Sequence, residues 1–457
     1  MKFQSIIIII LLSYIISLPE EDLVHSLTGY EFERKMYSGY LNVSEIKQLH
    51  YIYLEAEKND SEYLIIWYNG GPFCSSLVGW SSGNGPLVFE NGTFVKNDYT
   101  WNKLAHMVYI ESPAGAGFSL LNSTNKEDLK TNDFTSAEQN FISILNFYNK
   151  FPELKSKKLY LSGESYAGIY IPMLADKILQ YNQNCTKEED KIPLEGIMIG
   201  NAYTDKNYEE EYGVLDFAFS HGFLSYESRK EFLKNCIEQV DEDKCNSTKK
   251  KSLDFIYELN VYDYLRDKEE DSPFDNDFYY DYVKWRFPKD FLAKKLQSHN
   301  YEKIESRRLS DVKTIKEYLN EPEVKKALNV YEHIKWLRCN EEGYKLYDMK
   351  NEGTINVYPK LLGNIKILIY SGDTDIIVPI NGSLNWIRKL NLEIKEEWQA
   401  WKGKNLDGTE EDDKVSGFRM KYDGLSFVSF KGCGHMVVEW SRKNSLYMVD
   451  QFLKGDF

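Results

Sequence analysis

A serine on a tight turn is the residue with the clearest chemical meaning in this sequence. Residues 159–168 read LYLSGESYAG, which places Ser165 between an apolar run and a helical pattern. This order of strand, turn and helix is typical of a nucleophile elbow, where the serine hydroxyl attacks a carbonyl carbon. Gly163 and Ala167 flank Ser165 because larger side chains would clash where the chain reverses direction. The N-terminus of the helix behind Ser165 would favour negative charge that develops at the site.

Such a serine needs a base, and the base needs an orienting carboxylate. Asp375 follows an apolar run in a Gly-x-x-Asp turn, and His435 follows a later apolar run in a glycine-rich turn. The order serine, aspartate, histidine along the chain is that of α/β-hydrolases. The pattern therefore predicts a triad of Ser165, His435 and Asp375, with Asp373 as the rival carboxylate. Neither H-E-x-x-H nor C-x-x-C occurs in the sequence, and we expect no metal site and no cofactor.

The elements that must position these residues alternate between buried strands and amphipathic helices. Compact apolar runs predict strands at 107–111, 159–162, 196–200, 366–370 and 425–430, and helical patterns occupy 134–148, 168–181 and 441–453. Two earlier runs, 50–57 and 63–67, read as paired strands joined by a turn at 58–60. The alternation predicts an α/β protein of the α/β-hydrolase fold, with a mostly parallel central sheet and helices on both faces.

One long stretch interrupts this alternation. Residues 206–312 are rich in Asp, Glu, Lys and Tyr and show several helical segments but no convincing buried strand. We interpret this stretch as a helical insertion, or cap, on a hydrolase domain formed by 18–205 and 313–457. The part from 267 to 281 is especially charged and is expected to be a loop.

The composition is that of an ordinary globular protein and narrows the class of partner. The 457 residues are 42% hydrophobic and 28% charged, with a formal net charge of -15. So acidic a chain is a poor match for a groove that follows nucleic-acid phosphates, and no nucleic-acid partner is expected.

The N-terminus predicts entry into the secretory pathway. A basic start at Lys2 is followed by an apolar core at 6–16, which is too short to span roughly 30 Å of hydrocarbon comfortably. We therefore predict a cleaved signal peptide at 1–17 and no membrane span in the mature chain. Sequons for N-glycosylation fit this route; they begin at Asn42, Asn59, Asn91, Asn122, Asn184, Asn246 and Asn381.

Several blocks of the sequence together resemble the serine carboxypeptidases, a family of lysosomal, vacuolar and secreted exopeptidases that includes cathepsin A-like enzymes. The matching blocks are GESYAG at 163–168, WYNGGPFCSS at 67–76, ESPAGAGFS at 111–119, GIMIGN at 196–201 and GCGHM at 432–436, together with segments at 97–102 and 318–339. The similarity covers nearly the whole mature chain and is weakest from about 245 to 312.

The resemblance implies a role for each matching position. It makes Ser165 the nucleophile, His435 the general base and Asp375 its orienting acid, and it assigns the oxyanion hole to the backbone N–H groups of Gly71 and Tyr166. Recognition of the substrate's terminal carboxylate falls to Asn69, Gly70 and Glu164. Because a carboxylate near Glu164 repels it unless one of them carries a proton, we expect an acid pH optimum for peptide cleavage.

Three departures from the family pattern bear on substrate preference. Gly83 stands where the family has a second Glu, which removes half of a carboxyl pair. Phe73 replaces a Gly beside the oxyanion loop and is expected to add bulk next to the acyl site. Val438 replaces a Pro downstream of the histidine, and the Gln-Pro that follows in the family is absent. These changes leave the triad intact.

The cysteines fit an oxidising compartment. The resemblance implies that Cys74 pairs with Cys339, and a short loop closed by Cys236 and Cys245 is predicted in the insertion. For the remaining two, Cys185 and Cys433, a mutual bridge and a free Cys433 thiol near His435 both stay open.

The sequence thus predicts a serine-type carboxypeptidase, secreted or resident in a lysosome or vacuole, whose partners are peptide and protein C-termini. A homodimer is compatible with the sequence. The alternatives are an acyltransferase or esterase on the same scaffold, motivated by Gly83 and Phe73, and a non-catalytic protective or scaffold protein. Arg307-Arg308 is either a processing site or a pair of solvated arginines.

Overall fold

The computed structural model describes residues 18–28, 30, 33–90, 92–238, 242–252, 256, 259–266, 314–349, 353–409 and 414–457. Three predicted features lie outside the described residues, namely the signal peptide at 1–17, the charged loop at 267–281 and the Arg307-Arg308 pair. Within the described ranges, no helix combines the length and the apolar character needed to cross a membrane.

In the described part of the chain the strands, labelled β1 to β16 in chain order, supply one large sheet and two small ones. They are Leu23–Val24, Met36–Asn42, Lys47–Leu54, Tyr63–Tyr68, Leu87–Glu90, Thr93–Lys96, His106–Ile110, Leu120–Leu121, Thr131–Asn132, Lys158–Glu164, Leu194–Gly200, Tyr347–Asp348, Lys366–Gly372, Ile394–Trp401, Gly417–Tyr422 and Leu425–Phe430.

The large sheet has a parallel centre and antiparallel edges. Its strands follow the order β1-β2-β3-β7-β4-β10-β11-β13-β16-β15-β14, and β8 pairs with β3. The six strands from β7 to β16 in this order run parallel to one another. The predicted pairing of the runs 50–57 and 63–67, which correspond to β3 and β4, was wrong, because β7 lies between β3 and β4 and pairs with both. The sequence suggested that β4 pairs with β3 across the short turn at 58–60. In the structure β4 instead pairs in parallel with β7, and parallel strands need a longer crossover connection.

Helices cover the sheet, and the strand residues alternate between its two faces. The α-helices, labelled α1 to α12, are Asp133–Lys150, Ala167–Asn184, Val214–Ser220, Tyr226–Phe232, Glu242–Ser252, Ile315–Leu319, Pro322–Ala327, Glu341–Leu346, Tyr358–Leu361, Ile380–Lys389, Val437–Trp440 and Arg442–Lys454. In β10, Leu159 and Leu161 join an apolar cluster with residues of α1 and α2, whereas Tyr160 joins a second cluster with residues of α12. Two cores on opposite faces of a parallel sheet confirm the predicted α/β-hydrolase fold.

Shorter turns complete the elements. They are 3-10 turns at Glu20–Asp22, Trp101–Lys103, Lys126–Leu129, Pro152–Ser156 and Glu188–Asp190, and π-helical turns at Gly79–Gly83, Asn207–Gly213 and Leu233–Glu238.

The described part of the predicted insertion packs against the loop that follows β13. Helices α3, α4 and α5 belong to it, and no strand is present between Gly200 and residue 266 among the described positions. The N–H groups of Ile376 and Ile377 donate to the carbonyl oxygen of Val261, at 3.0 and 3.2 Å. The boundaries of this insertion at 206 and 312 remain a proposal.

Candidate active site

Ser165 lies at the sharp turn between β10 and α2. Its backbone φ is +64°, a left-handed conformation that is strained for a residue with a side chain. The Ser165 N–H donates to the Gly200 carbonyl at 2.9 Å, and the Ser165 carbonyl accepts from the Tyr203 N–H at 2.9 Å. A Cβ on Gly163 would lie 2.2 Å from the Tyr68 carbonyl oxygen, which explains the glycine at that position. The backbone around Ser165 therefore has the geometry of a nucleophile elbow.

His435 and Asp375 meet although they follow different strands. His435 comes after β16 and Asp375 after β13, and the Nδ1 atom of His435 lies 2.7 Å from Oδ2 of the fully buried Asp375. The carboxylate also accepts from Asn201 Nδ2 at 2.7 Å and from the Ile377 N–H at 2.8 Å. These contacts favour the tautomer with its proton on Nδ1, which leaves Nε2 of the imidazole as the basic nitrogen.

The rival carboxylate, Asp373, has a different partner. Its Oδ1 atom accepts from the Gly432 N–H at 2.7 Å, so it braces the turn that precedes His435.

One cleft brings the predicted site residues together. Ser165 and His435 line it, and so do the three residues predicted to recognise a carboxylate and the first predicted oxyanion donor. The complete lining is Asn69, Gly70, Gly71, Cys74, Val78, Glu164, Ser165, Tyr262, Arg338, His435 and Met436. Asp375 lies behind His435.

The loop that follows β4 comes very close to the elbow. A Cβ on Gly70 would lie 2.4 Å from the Tyr166 backbone nitrogen and 2.8 Å from Cβ of Ser165, so only glycine fits there. This approach places the loop that carries the Gly71 N–H beside the turn that carries the Tyr166 N–H. Two backbone donors converging next to a nucleophile can stabilise an oxyanion.

Asn69 and Glu164 form a buried polar pair in the wall of the cleft. The Oδ1 atom of Asn69 accepts from Trp67 Nε1 at 2.8 Å and from the Gly79 N–H at 3.2 Å. Since Oδ1 is held in this way, the amide Nδ2 faces Glu164 and donates to its Oε1 at 2.9 Å. Burial raises the pKa of Glu164 from 4.5 to about 7, and the neighbouring Glu439 charge adds to this increase. Glu164 is therefore protonated at acid pH, where its second oxygen can donate to an anion.

Phe73 does not lie where the sequence suggested. Its side chain is fully buried in a cluster with Tyr166, Tyr170 and Tyr347, and it is absent from the cleft lining. Its ring occupies space left by Gly343, where a Cβ would lie 2.5 Å from the ring. The expectation of added bulk at the acyl site was wrong, because the backbone of Phe73, with φ of +70°, directs the side chain into this cluster.

The departures at Gly83 and Val438 are complementary in space. A Cβ on Gly83 would lie 2.9 Å from Cγ2 of Val438, so a larger residue at 83 would collide with the valine. On the same side, Glu439 accepts from the Ser82 hydroxyl at 3.1 Å.

The structure contains disulfides between Cys74 and Cys339 and between Cys236 and Cys245. Cys185 and Cys433 are free thiols, so they do not form the alternative bridge. Burial raises the pKa of the Cys433 thiol far above its ordinary value, and the group is therefore in its unreactive protonated form.

Three residues at the site were not assigned roles from the sequence. Asn201, directly after β11, donates to Asp375, and its place after a buried strand was a signal that could have identified it. Tyr262 comes from the insertion, and its carbonyl oxygen accepts from the backbone N–H of His435 at 2.7 Å. The centroids of its ring and of the imidazole are 5.3 Å apart. Arg338 lines the cleft next to the Cys74–Cys339 bridge. Tyr262 comes from a distant segment for which no local pattern exists, whereas the implied pairing of Cys74 with Cys339 was a signal that could have placed Arg338 near the site.

Comparisons with known proteins agree with this geometry. A family model described as "Serine carboxypeptidase" matches residues 27–455. "Serine carboxypeptidase-like 31" of Arabidopsis thaliana is 32% identical over 461 residues, covering 95% of this chain and 89% of the relative. "Lysosomal protective protein" of Mus musculus is 30% identical over 468 residues, covering 96% and 94%. The crystal structure of Kex1(delta)p, a prohormone-processing carboxypeptidase from Saccharomyces cerevisiae, aligns with a TM-score of 0.75 and 22% identity over 92% of each chain, a likeness of fold.

Proposed function

Because this chain belongs to the serine carboxypeptidase family, whose members are hydrolases that act as exopeptidases, we propose that it removes single residues from peptide C-termini with Ser165 as the nucleophile. The observation that carries the proposal is the cleft in which Ser165 and His435 lie beside Asn69 and Glu164. A nucleophile next to a buried group that can bind a carboxylate is the arrangement an exopeptidase needs.

The proposed chemistry is acyl transfer in two steps. Ser165 Oγ attacks the carbonyl carbon of the last peptide bond while His435 Nε2 takes the hydroxyl proton. Asp375 accepts from Nδ1 and stabilises the imidazolium that forms. The backbone N–H groups of Gly71 and Tyr166 hold the negative oxygen of the tetrahedral intermediate, at a value of roughly 3–4 kcal/mol for each donor.

The proton on His435 then passes to the departing amine, and the C–N bond breaks. The remaining acyl group forms an ester with Ser165 Oγ. A water molecule, deprotonated by the now neutral His435, attacks this ester. The bond between the acyl carbon and Ser165 Oγ then breaks, Oγ takes the proton back from the imidazolium, and the shortened peptide leaves as the free acid. Every proton taken by the imidazole is returned, so no cofactor is needed.

Recognition of the free C-terminus is assigned to Glu164, Asn69 and the Gly70 N–H. When Glu164 is protonated, its hydroxyl can donate to the substrate carboxylate, whereas the ionised form would repel it. Because the pKa of Glu164 is raised to about 7, this donor is present below neutral pH. We therefore propose that peptide cleavage is fastest at acid pH and falls as Glu164 ionises.

The test compares N-blocked dipeptides with a free or an amidated C-terminus. The purified protein is expected to release the last residue of the free acid, with a kcat/KM at least about 100-fold above that of the amide, which lacks the charge that is recognised. Equal rates on the two substrates would contradict an exopeptidase and favour the esterase alternative. No turnover, together with no labelling of Ser165 by a fluorophosphonate, would favour the scaffold alternative.

We also propose a lysosomal, vacuolar or extracellular location reached through the secretory pathway. The apolar N-terminal segment predicted as a signal peptide and the two disulfides support this location. N-terminal sequencing of the protein recovered from secreting cells should begin near residue 18, and a first residue of Met1 would contradict cleavage.

A further inference from the structure

One buried carboxylate has no part in the mechanism proposed above. Asp133 is the first residue of α1 and is 2% exposed. Its Oδ1 atom accepts from the Tyr166 hydroxyl and from the Tyr347 hydroxyl, each at 2.9 Å. Burial raises the pKa of both phenols far above the ordinary value, so each keeps its proton and donates. A single carboxylate oxygen therefore holds two aromatic side chains.

The backbone keeps Asp133 and Tyr347 next to each other. Strand β9 ends directly before Asp133 and β12 begins at Tyr347, and the two strands pair in parallel with Thr131 opposite Tyr347. The side chain of Asn132 caps α1 by accepting from the Thr135 N–H at 2.9 Å. Because a helix start and a strand pair fix its backbone, the carboxylate has a set position beneath the two phenols.

The first of the two tyrosines carries a proposed oxyanion donor on its own backbone. Tyr166 directly follows Ser165 in the elbow. Its ring packs at 87° to the Tyr347 ring, with 5.7 Å between the centroids, and stacks on the Tyr203 ring at 5.7 Å. Since the ring is held at its hydroxyl by Asp133 and at its faces by its neighbours, the turn that presents the Tyr166 N–H has little freedom to move.

The second tyrosine supports the loop that carries the other proposed donor. The Tyr347 ring lies at 89° to the ring of Phe73, with 6.1 Å between the centroids. Phe73 is fully buried and follows Gly71 by two residues, so its ring anchors the loop that presents the Gly71 N–H. Asp133 thus contacts one tyrosine for each proposed donor.

We propose that Asp133 is a positioning residue that aligns the two oxyanion donors through Tyr166 and Tyr347. This inference rests on the proposed function, in which Ser165 is the nucleophile. Asp133 does not line the cleft, so its loss should spare substrate binding. The donors act on the oxygen of the tetrahedral intermediate, and their misalignment should therefore lower kcat and leave KM nearly unchanged.

The experiment measures kcat and KM at pH 5 for an N-blocked dipeptide with a free C-terminus, and the inhibition constant of an N-blocked amino aldehyde. Ser165 Oγ adds to the aldehyde carbon, and the aldehyde oxygen takes the place of the oxygen in the tetrahedral intermediate. The variants are Asp133→Ala, Asp133→Asn and Tyr347→Phe. Tyr51→Phe is the matched control, because it removes another buried hydrogen bond between a tyrosine and an aspartate, the one from Tyr51 to Asp22 at 2.6 Å.

Asp133→Ala should lower kcat about 10- to 100-fold, keep KM within about 3-fold and weaken aldehyde binding by a factor similar to that in kcat, because displaced donors lose much of their effect. Asp133→Asn keeps an acceptor oxygen for both phenols and should retain most of the wild-type kcat. Tyr347→Phe loses one of the two contacts, and a decrease of about 3- to 10-fold in kcat is expected. Tyr51→Phe should lower the urea midpoint and keep kcat within about 2-fold of the wild type.

Three results would overturn the proposal. In the first, Asp133→Ala leaves kcat and the aldehyde inhibition constant within about 2-fold of the wild type. In the second, Asp133→Asn loses as much kcat as Asp133→Ala, which would mean that the acceptor contact with the phenols is not what matters. In the third, Tyr51→Phe loses as much kcat as Asp133→Ala, which would attribute the loss to general destabilisation.

Urea unfolding shows whether each variant is folded. If Asp133→Ala does not fold, Tyr347→Phe decides, and an unchanged aldehyde inhibition constant in that variant overturns the proposal. A wild-type protein that reacts with a fluorophosphonate but hydrolyses no free acid contradicts the carboxypeptidase function instead. The labelling rates of the variants, which also depend on the oxyanion donors, then decide the role of Asp133, so the two failures are distinguishable.

Discussion

Two serine–histidine–carboxylate arrangements occur among the residues that the structure describes, and one of these two lies in a cleft. In the first, His435 Nδ1 is 2.7 Å from Asp375 and shares the cleft with Ser165. In the second, His50 Nδ1 is 2.8 Å from Glu111 and His50 Nε2 is 2.9 Å from Ser38 Oγ. All three side chains of the second set are fully buried.

The difference lies in what surrounds each serine. The Ser38 hydroxyl donates to the Leu328 carbonyl at 2.5 Å, and the other Glu111 oxygen accepts from the Ser75 hydroxyl, so this set is bound into the core. Ser165 instead stands on a strained turn that lines a cleft, next to the Gly70-Gly71 loop. A histidine held by a carboxylate is thus insufficient for catalysis, which also requires access for substrate and donors for the oxyanion.

The largest difference in kcat is expected between variants of the two serines, Ser165 and Ser38. Ser165→Ala should lower kcat on a free-acid dipeptide by about 10⁶-fold, since the nucleophile is lost. Ser38→Ala should leave kcat within about 3-fold and cost about 1–3 kcal/mol of stability, because buried partners lose a hydrogen bond. The checks are steady-state kinetics and urea unfolding. Substantial peptidase activity in Ser165→Ala would contradict the assignment of the nucleophile.

Variants of the two carboxylates, Asp375 and Glu111, should differ in the same way as variants of the two serines. Asp375→Asn is expected to lower kcat about 10⁴-fold, because an amide no longer favours the reactive tautomer of His435. Glu111→Gln should instead cost about 1–3 kcal/mol in the free energy of unfolding, because the buried donors that face the Glu111 carboxylate lose an acceptor. Asp373→Asn, at the rival position, is the control and should keep most of the wild-type kcat. The comparison breaks down if Asp373→Asn proves the more damaging of the two aspartate variants.

A third difference between the two regions should appear when pH is varied, because the cleft contains the titratable side chain of Glu164. Its folded-state pKa of about 7 lies above its ordinary value of 4.5, so the folded chain holds the proton more tightly than the unfolded chain does. This contribution to stability is fully present below pH 4.5 and is lost as pH rises through 7, with a total on the order of 3 kcal/mol.

Glu164→Gln keeps the hydrogen bond from Asn69 and removes the titration. Between pH 4.5 and 7, the free energy of unfolding of this variant should change less with pH than that of the wild type. The part of the fall in peptidase activity towards pH 7 that Glu164 ionisation causes should be absent from the variant. Urea midpoints and pH–rate profiles measure the two effects. Parallel curves for variant and wild type would show that Glu164 does not titrate in this range.

The smallest effect is expected at Ser75, which joins the two regions. Its hydroxyl donates to Glu111 and accepts from Trp336 Nε1 at 3.0 Å, while its backbone belongs to the oxyanion loop. Ser75→Ala should cost about 1–3 kcal/mol in stability and lower kcat by only a few-fold. A loss of kcat comparable to that of Asp375→Asn would mean that the buried set controls catalysis directly.

The sequence predicted those site residues that follow a strand directly in the chain. Ser165, Asp375 and His435 each follow a buried apolar run, and parallel strands bring such ends to one edge of the sheet. The pairing of β3 with β7 could not be read locally, because strand neighbours depend on the topology of the whole sheet. The burial of Phe73 likewise depends on Gly343, far along the chain, and the place of Tyr262 depends on a segment without a recognisable motif.

The distances along the chain between the proposed triad residues have a consequence for biosynthesis. Ser165 is made about 270 residues before His435, an interval of roughly 15–50 s at ordinary rates of translation. Throughout that interval the nascent chain holds a nucleophile without its base. A growing chain therefore cannot hydrolyse peptides in the compartment where it is made until its final segment has been synthesised and folded against the sheet.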